Sequence, residues 1–200
     1  MSGSGNEVLS WTSQDPRTSQ LFGSYGVLYK FTTDVNAQGV NVTTLWRTIR
    51  ANKEDRVAKL EWAPSGGLGR AVIGKSTLPM ADLVRPDPRV PVGMPNRQPF
   101  TMVPDRPVRQ NCRMFNGPDG YQYRWRPSSN ATNDVVLEDP NGNVIAFYRH
   151  IRPQRYNIGD VYCELHFVRN AGAGVVMHPP LMDTVTVTAM LYRFVIAYAL

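Results

Sequence analysis

The sequence predicts a mainly β fold that ends in a hydrophobic helix, and three features carry that expectation. Sixteen prolines and sixteen glycines cut the 200 residues into short apolar segments, which suits many strands and turns better than a few long helices. The segments are rich in Val, Thr and aromatics and bounded by Gly, Asn or Pro, as half-buried strands are. The stretch after Asp183 differs: "AMLYRFVIAYAL" is apolar nearly all round, as a helix sheltered on every side would be.

Residues 1–20 are polar and rich in Ser, Gly and Thr, so they are expected to form a flexible arm with Trp11 as its only large apolar anchor. Residues 21–200 are expected to form one domain, the better prior for a chain of this length. Its first strand signals are "YGVLYKFTT", "GVNVTTLWRTI", "DRVAKLEWA" and "GRAVIGK", while "STLPMADLV" reads as one helical turn or two. Seven prolines between Arg85 and Pro107 oppose both ladder pairing and helix, so 85–107 is expected as a surface loop.

A meander follows: Cys112 to Phe115, the turn "NGPDG", Tyr121 to Arg126, the loop "PSSNATN", Asp134 to Glu138, the turn "DPNGN", and Val144 to His150. Both turns hold the Gly and Asn that positive φ requires. In "DVYCELHFV" alternation puts Val161, Cys163, Leu165 and Phe167 on one face and Tyr162, Glu164 and His166 on the other. The last segment is ambiguous, because "TVTVT" alternates like a strand. Asp183 could cap a helix running to Leu200, about 27 Å long. A transmembrane tail competes with that reading, but Asp183, three threonines and Arg193 count against it, since a mid-bilayer arginine costs about 2.5 to 3.5 kcal/mol. No transmembrane segment is therefore expected.

The net charge of +6 gives a mild attraction for anions and nothing more specific. Its distribution is more informative. Arg85 to Arg126 holds eight arginines, three aspartates and no lysine, and Arg149, Arg152 and Arg155 follow with His150 among them. Arginine makes planar, bidentate bonds to phosphate and carboxylate, which favours an anion site. In "GYQYRWR" alternation places Tyr121, Tyr123 and Trp125 on a core face, with Gln122, Arg124 and Arg126 opposite. Arg109 and Arg113 on the preceding strand complete a candidate anion-binding face with Arg124 and Arg126. Like charges facing each other across strands need compensation, from Glu138 on the next strand or from a bound anion.

Other chemistry is thin. "GRAVIGKS", Gly69 to Ser76, matches the phosphate-loop pattern literally. Ala71-Val72-Ile73 favour extension, however, and Pro79 interrupts the helix that such a loop needs, so a plain strand is expected. His150, His166 and His178 are isolated, no Cys or His pair has ligand spacing, and no nucleophile has a readable base. No catalytic residue, metal or cofactor is therefore expected. Cys112 and Cys163 are expected as buried free thiols, and the amino terminus lacks the pattern of a signal peptide. A reducing, cytoplasmic location follows as the default, with peripheral membrane contact left open.

The order "GSYGVLYKF", "TTLWRTI", "VAKLEWA", "MADLV", "CRMFNGPDGYQYRWR", "VVLEDPNGNVIAFYRH" and the apolar end resembles a family of uncharacterised proteins from mushroom-forming fungi, over about Tyr25 to Leu200. Its most specific part is the arrangement of Phe115, Asp119, Gly120, Tyr123 and Trp125, followed by Tyr148. That family is distantly similar to the tubby-like barrel of tubby proteins, LURP-one-related proteins and phospholipid scramblases. The resemblance implies a closed antiparallel β-barrel around the hydrophobic carboxy-terminal helix, with Arg193 needing a partner or a rim position. The tubby resemblance also suggests contact with anionic phospholipid headgroups through a basic face, and with no catalytic motif readable a non-catalytic binding or scaffold protein is expected, with no nucleic acid as partner. The alternatives are a protein-interaction module using the proline-rich loop and, last, a nucleotide-binding enzyme using Gly69 to Ser76.

Overall fold

The computed structural model describes residues 6–51, 53–88, 111–128, 134–169 and 178–198. Thirteen strands form one antiparallel sheet. Its first half is β1 (Glu7–Trp11), β2 (Ser19–Gly23), β3 (Gly26–Val35), β4 (Asn41–Arg50), β5 (Lys53–Glu61), β6 (Arg70–Ile73) and β7 (Ser76–Pro79). A 3-10 helix, Met80–Leu83, leads to the second half: β8 (Arg85–Pro86), β9 (Arg113–Asn116), β10 (Gln122–Pro127), β11 (Val135–Glu138), β12 (Val144–Tyr156) and β13 (Gly159–Phe167). The helix α1, Pro179–Tyr198, completes the chain's described structure.

The ladder runs β7-β6-β5-β4-β3-β2-β1-β13-β12-β11-β10-β9-β8. Its two edges, β7 and β8, are joined by only the five residues Met80–Val84. Five residues reach less than about 20 Å, whereas the edges of a flat sheet of this width would stand roughly 55 Å apart. The sheet must therefore curl until its edges meet. It is not closed by strand pairing, contrary to the expected closed ladder. Instead the 3-10 helix bridges the seam, packing against β7 on one side and β9 on the other, with Met80 and Leu83 buried.

What fills the curl is α1. Every residue from Leu181 to Val195 is buried, enclosed by inward side chains that include Tyr29, Leu45, Leu60, Trp125, Tyr148 and Leu165. Alternation on β13 is as the sequence predicts, with Val161, Cys163, Leu165 and Phe167 all buried. By length and composition α1 could cross a bilayer, yet 83% of its apolar window is buried within this fold.

Burying the helix on all sides obliges its polar groups to find partners inside. Thr184 and Thr186 donate back to the carbonyls of Pro180 and Met182. Thr188 donates to the Val185 carbonyl and accepts the Trp125 indole N–H at 3.0 Å. Asp183 accepts from the Tyr29 hydroxyl at 2.6 Å and from the Arg47 guanidinium at 2.5 Å. Burial raises the Asp183 carboxyl above its ordinary range while these two partners pull it back. The Tyr192 hydroxyl donates to the Asn111 carbonyl at 2.7 Å.

Several expectations need correction. Glu7–Trp11, read as part of a flexible arm, is β1, whose ladders to β13 and β2 place Leu9 and Trp11 in the core. Arg85–Pro86, read as loop, is a short edge strand, a setting in a sheet that tolerates proline. The rest of the proline-rich stretch from residue 89 lies outside the described residues. Tyr121 precedes β10 and is exposed at 62%, so only Tyr123 and Trp125 of the three aromatics are core. Asp183 does not cap α1, which begins four residues earlier at Pro179. Both cysteines are free, Cys163 buried and Cys112 half-buried, and burial pushes the Cys163 thiol up to about 11.

Deleting residues 184–200 should therefore empty the curl. The expected product has strand-like far-ultraviolet circular dichroism, no near-ultraviolet signal and no cooperative urea transition; a cooperative, folded product would refute the central-helix architecture.

Candidate functional site

The arginine face divides once its register is known. Arg124 pairs across β10 and β11 with Glu138, and Arg126 with Val136, so both arginines flank one carboxylate on the outer face. Arg124 Nη2 donates to Glu138 Oε2 at 2.7 Å and Arg126 Nε to Glu138 Oε1 at 2.7 Å. Arg124 Nη1 also reaches Asp87 Oδ2 at 3.3 Å. Compensation by Glu138, one of the two options the sequence offers, is thus present within the fold. Arg113 stands opposite Trp125, on the inward-facing parity, and donates to the Cys112 carbonyl. The structure therefore unites Arg124 and Arg126, separates Arg113 from them, and Arg109 lies outside the described residues.

Gly69 to Ser76 is a hairpin. Arg70–Ile73 pair with Ser76–Pro79 through a turn at Gly74, φ +58°, and Lys75 is exposed at that turn. The segment is extended ladder, and the 3-10 helix after it spans only Met80–Leu83, so the curled amide cradle of a phosphate loop is not formed. Among the described residues no cluster of His, Cys, Asp or Glu could hold a metal.

A different region emerges where α1 ends. β1 pairs with β13 only as far as Cys163, and β11 pairs with β12 only from Val144 to Tyr148. Beyond those points β12 and β13 pair with each other alone, as a two-stranded arm. Its register breaks between His150, opposite Cys163, and Gln154, opposite Val161. Ile151, Arg152 and Pro153 thus face Tyr162 alone, a bulge that suits the proline's missing donor. Arg152 in the bulge and Arg155, Tyr156 and Ile158 past it are all exposed, Tyr156 at 47% and Ile158 at 39%. Neither arginine forms an ion pair with a described residue.

Behind the bulge opens a cavity of about 400 Å³, bounded by Gln14 and Pro16 of the β1–β2 loop, His150, Ile151, Tyr162 and Arg193 of α1. Arg193 is 8% exposed. Its guanidinium stacks 4.8 Å above the Trp11 ring, and Nη2 makes a long 3.4 Å bond to the Gln14 carbonyl. Nη1 is buried without a hydrogen-bond partner. The nearby carboxylate, Asp15, accepts from Arg17 Nε and Nη2 at 3.2 and 3.0 Å. Arg17 in turn lies over the Trp62 and Phe194 rings. Desolvation and the Arg193 charge together hold His150 below its ordinary pKa, keeping the ring neutral at pH 7.

The sequence raises the need of Arg193 for a partner or a rim position, and marks Arg152 and Arg155 as basic. It gives no sign of the cavity, because that depends on a bulge and on a loop 130 and more residues away in the chain.

The Glu138 cluster yields a stability test. Burial acts to raise the Glu138 carboxyl, but Arg126 and Arg124 outweigh it and hold the group below its ordinary value of 4.5. Its contribution is therefore present above that value and is lost as pH falls through the depressed one. Glu138→Gln should cost about 2 kcal/mol at neutral pH in urea unfolding, less than a fully buried pair because both arginines are partly exposed. The variant should also show a shallower loss of stability in acid than the parent.

No curated protein and no solved structure matches the chain at a significant level. A family model does match, over residues 14–192, which is nearly the whole chain, so the protein belongs to the family of unknown function DUF6593.

Proposed function

We propose that the protein is a non-catalytic binding or scaffold protein built on a tubby-like barrel, and that it docks on anionic phospholipid headgroups through the β12–β13 arm. The observation that carries this reading is the arm's surface: two exposed arginines without ion-pair partners among the described residues, next to exposed Tyr156 and Ile158. Arginine supplies attraction to headgroups, while an aromatic and an aliphatic side chain at the same tip suit the interface between headgroup and acyl chain. The strand face is less suited, since Arg124 and Arg126 already neutralise Glu138 and Asp87. Support for the tubby-like barrel comes from the single curled antiparallel sheet wrapped around an apolar helix.

Co-sedimentation with phosphatidylcholine vesicles, with and without phosphatidylserine, tests the proposal. Binding should require phosphatidylserine and weaken with salt. Each arginine near such a surface contributes about 1 kcal/mol, so Arg152→Ala with Arg155→Ala should weaken binding about thirtyfold. Equal binding to both vesicle types would remove the headgroup reading, and a loss on Arg126→Ala but not on the arm double variant would return the contact to the strand face.

A further inference from the structure

We propose that the cavity at the carboxy-terminal end of α1 is a binding site for a small amphipathic carboxylate, whose charge is matched by Arg193. The other buried polar side chains of α1 are satisfied by the fold: Asp183 by Tyr29 and Arg47, Thr188 by Trp125, Tyr192 by Asn111. Arg193 breaks the pattern, with one unpartnered nitrogen and one weak bond to a loop carbonyl. Two arginines, Arg17 and Arg193, share the vicinity of a single acid, Asp15, and the fork of Arg17 occupies it. Arg193 is therefore desolvated without an ion pair of its own among the described residues, with only the more distant charge of Asp15 and the Trp11 ring face beside it, a condition that an arriving anion relieves.

The cavity specifies the rest of the ligand. Pro16, Ile151, Ile196 and Ala197 give it apolar walls, while Gln14, His150 and Tyr162 add polar groups at its boundary. A planar carboxylate carries the single negative charge that one guanidinium matches, and can compete with the Gln14 carbonyl for Nη2. A doubly charged phosphate would leave excess charge against apolar walls. At about 30 Å³ per water-sized unit, the roughly 400 Å³ cavity holds a ligand of about a dozen non-hydrogen atoms, a carboxylate with a short hydrocarbon body. The site uses the unpaired part of the bulge and is independent of the membrane reading.

The test is isothermal titration of the full chain with octanoate below its micelle concentration, with octanol and inorganic phosphate in parallel and no lipid present. Octanoate should bind saturably at one site, with octanol and phosphate each at least about tenfold weaker, equivalent to 1.4 kcal/mol. Arg193→Met should weaken octanoate about tenfold or more and remove the advantage over octanol. Because that core variant can fail to fold, Ala197→Phe provides a second route: position 197 is exposed on α1 and borders the cavity, so a larger side chain fills the site and should abolish binding while the melting temperature is retained. No octanoate binding, equal binding of octanol, stronger binding of phosphate, or octanoate binding unchanged in Ala197→Phe would each overturn the proposal. With no bilayer in the assay, any of these results leaves the vesicle docking of the arm to stand or fall on its own experiment.

Discussion

Enclosure of one helix on all of its sides is the constraint on which the rest of the molecule depends. A helix that presents apolar groups in every direction cannot be satisfied by an open sheet, which covers only one of its faces. The sheet must curl, its edges must approach, and a short segment must bridge them. The same enclosure removes water from fifteen successive residues of α1, so its polar groups are answered from within the fold, Thr184 and Thr186 by carbonyls of the helix itself and Asp183, Thr188 and Tyr192 by the surrounding wall. The pairing of Asp183 with Tyr29 and Arg47, and of Thr188 with Trp125, fixes both the rotation and the height of the helix. Apolar contacts alone specify register weakly, because a helix apolar all round can slide or turn at little cost.

The surplus positive charge is sorted by the same geometry. Arg47, Arg124, Arg126 and Arg149 each face an acid on a neighbouring element. Those pairs tie neighbouring elements together. Where α1 ends, Arg193 within the fold and Arg152 and Arg155 on the arm have no such partner among the described residues. A helix carboxy terminus carries partial negative charge and tolerates cations nearby, which helps to explain how Arg17 and Arg193 coexist beside one aspartate.

Local patterns made much of the wall legible. Turn residues marked the hairpins β9–β10 and β11–β12, and period-two alternation assigned the faces of β10 and β13 correctly. Glu138 can be named as a candidate partner for Arg124 because it is an acid on the next strand, but their register comes from the ladder of β10 with β11. Elsewhere the signal was too short or too local. Five residues at Glu7–Trp11 look like loop until β13, some 150 residues away, supplies a ladder. "TVTVT" prefers strand by propensity, and burial overrode that preference once the preceding "PP", favoured in a first helical turn, had started the helix. Arg113 went to the wrong face because face parity on β9 follows from its pairing with β10. The bulge at Ile151–Pro153 is invisible to periodicity, and the cavity with it.

The order of strands in the ladder bears on how this chain acquires its shape. Among the described strands, every ladder joins sequence neighbours except β1 to β13. Each half of the wall can therefore form as a local meander while synthesis proceeds. The two halves meet only after β13 has emerged, and the segment that must occupy the middle comes later still. Until α1 arrives, the inward faces of both meanders have nothing to cover them. Because β7 and β8 are already held close by the five residues Met80–Val84, the ladder of β1 with β13 is the one that has to form to close the wall around the helix. Assembly of such non-local topologies is slow and leaves sticky surface exposed in the interval, so a newly made chain depends on α1 to become safe from its neighbours.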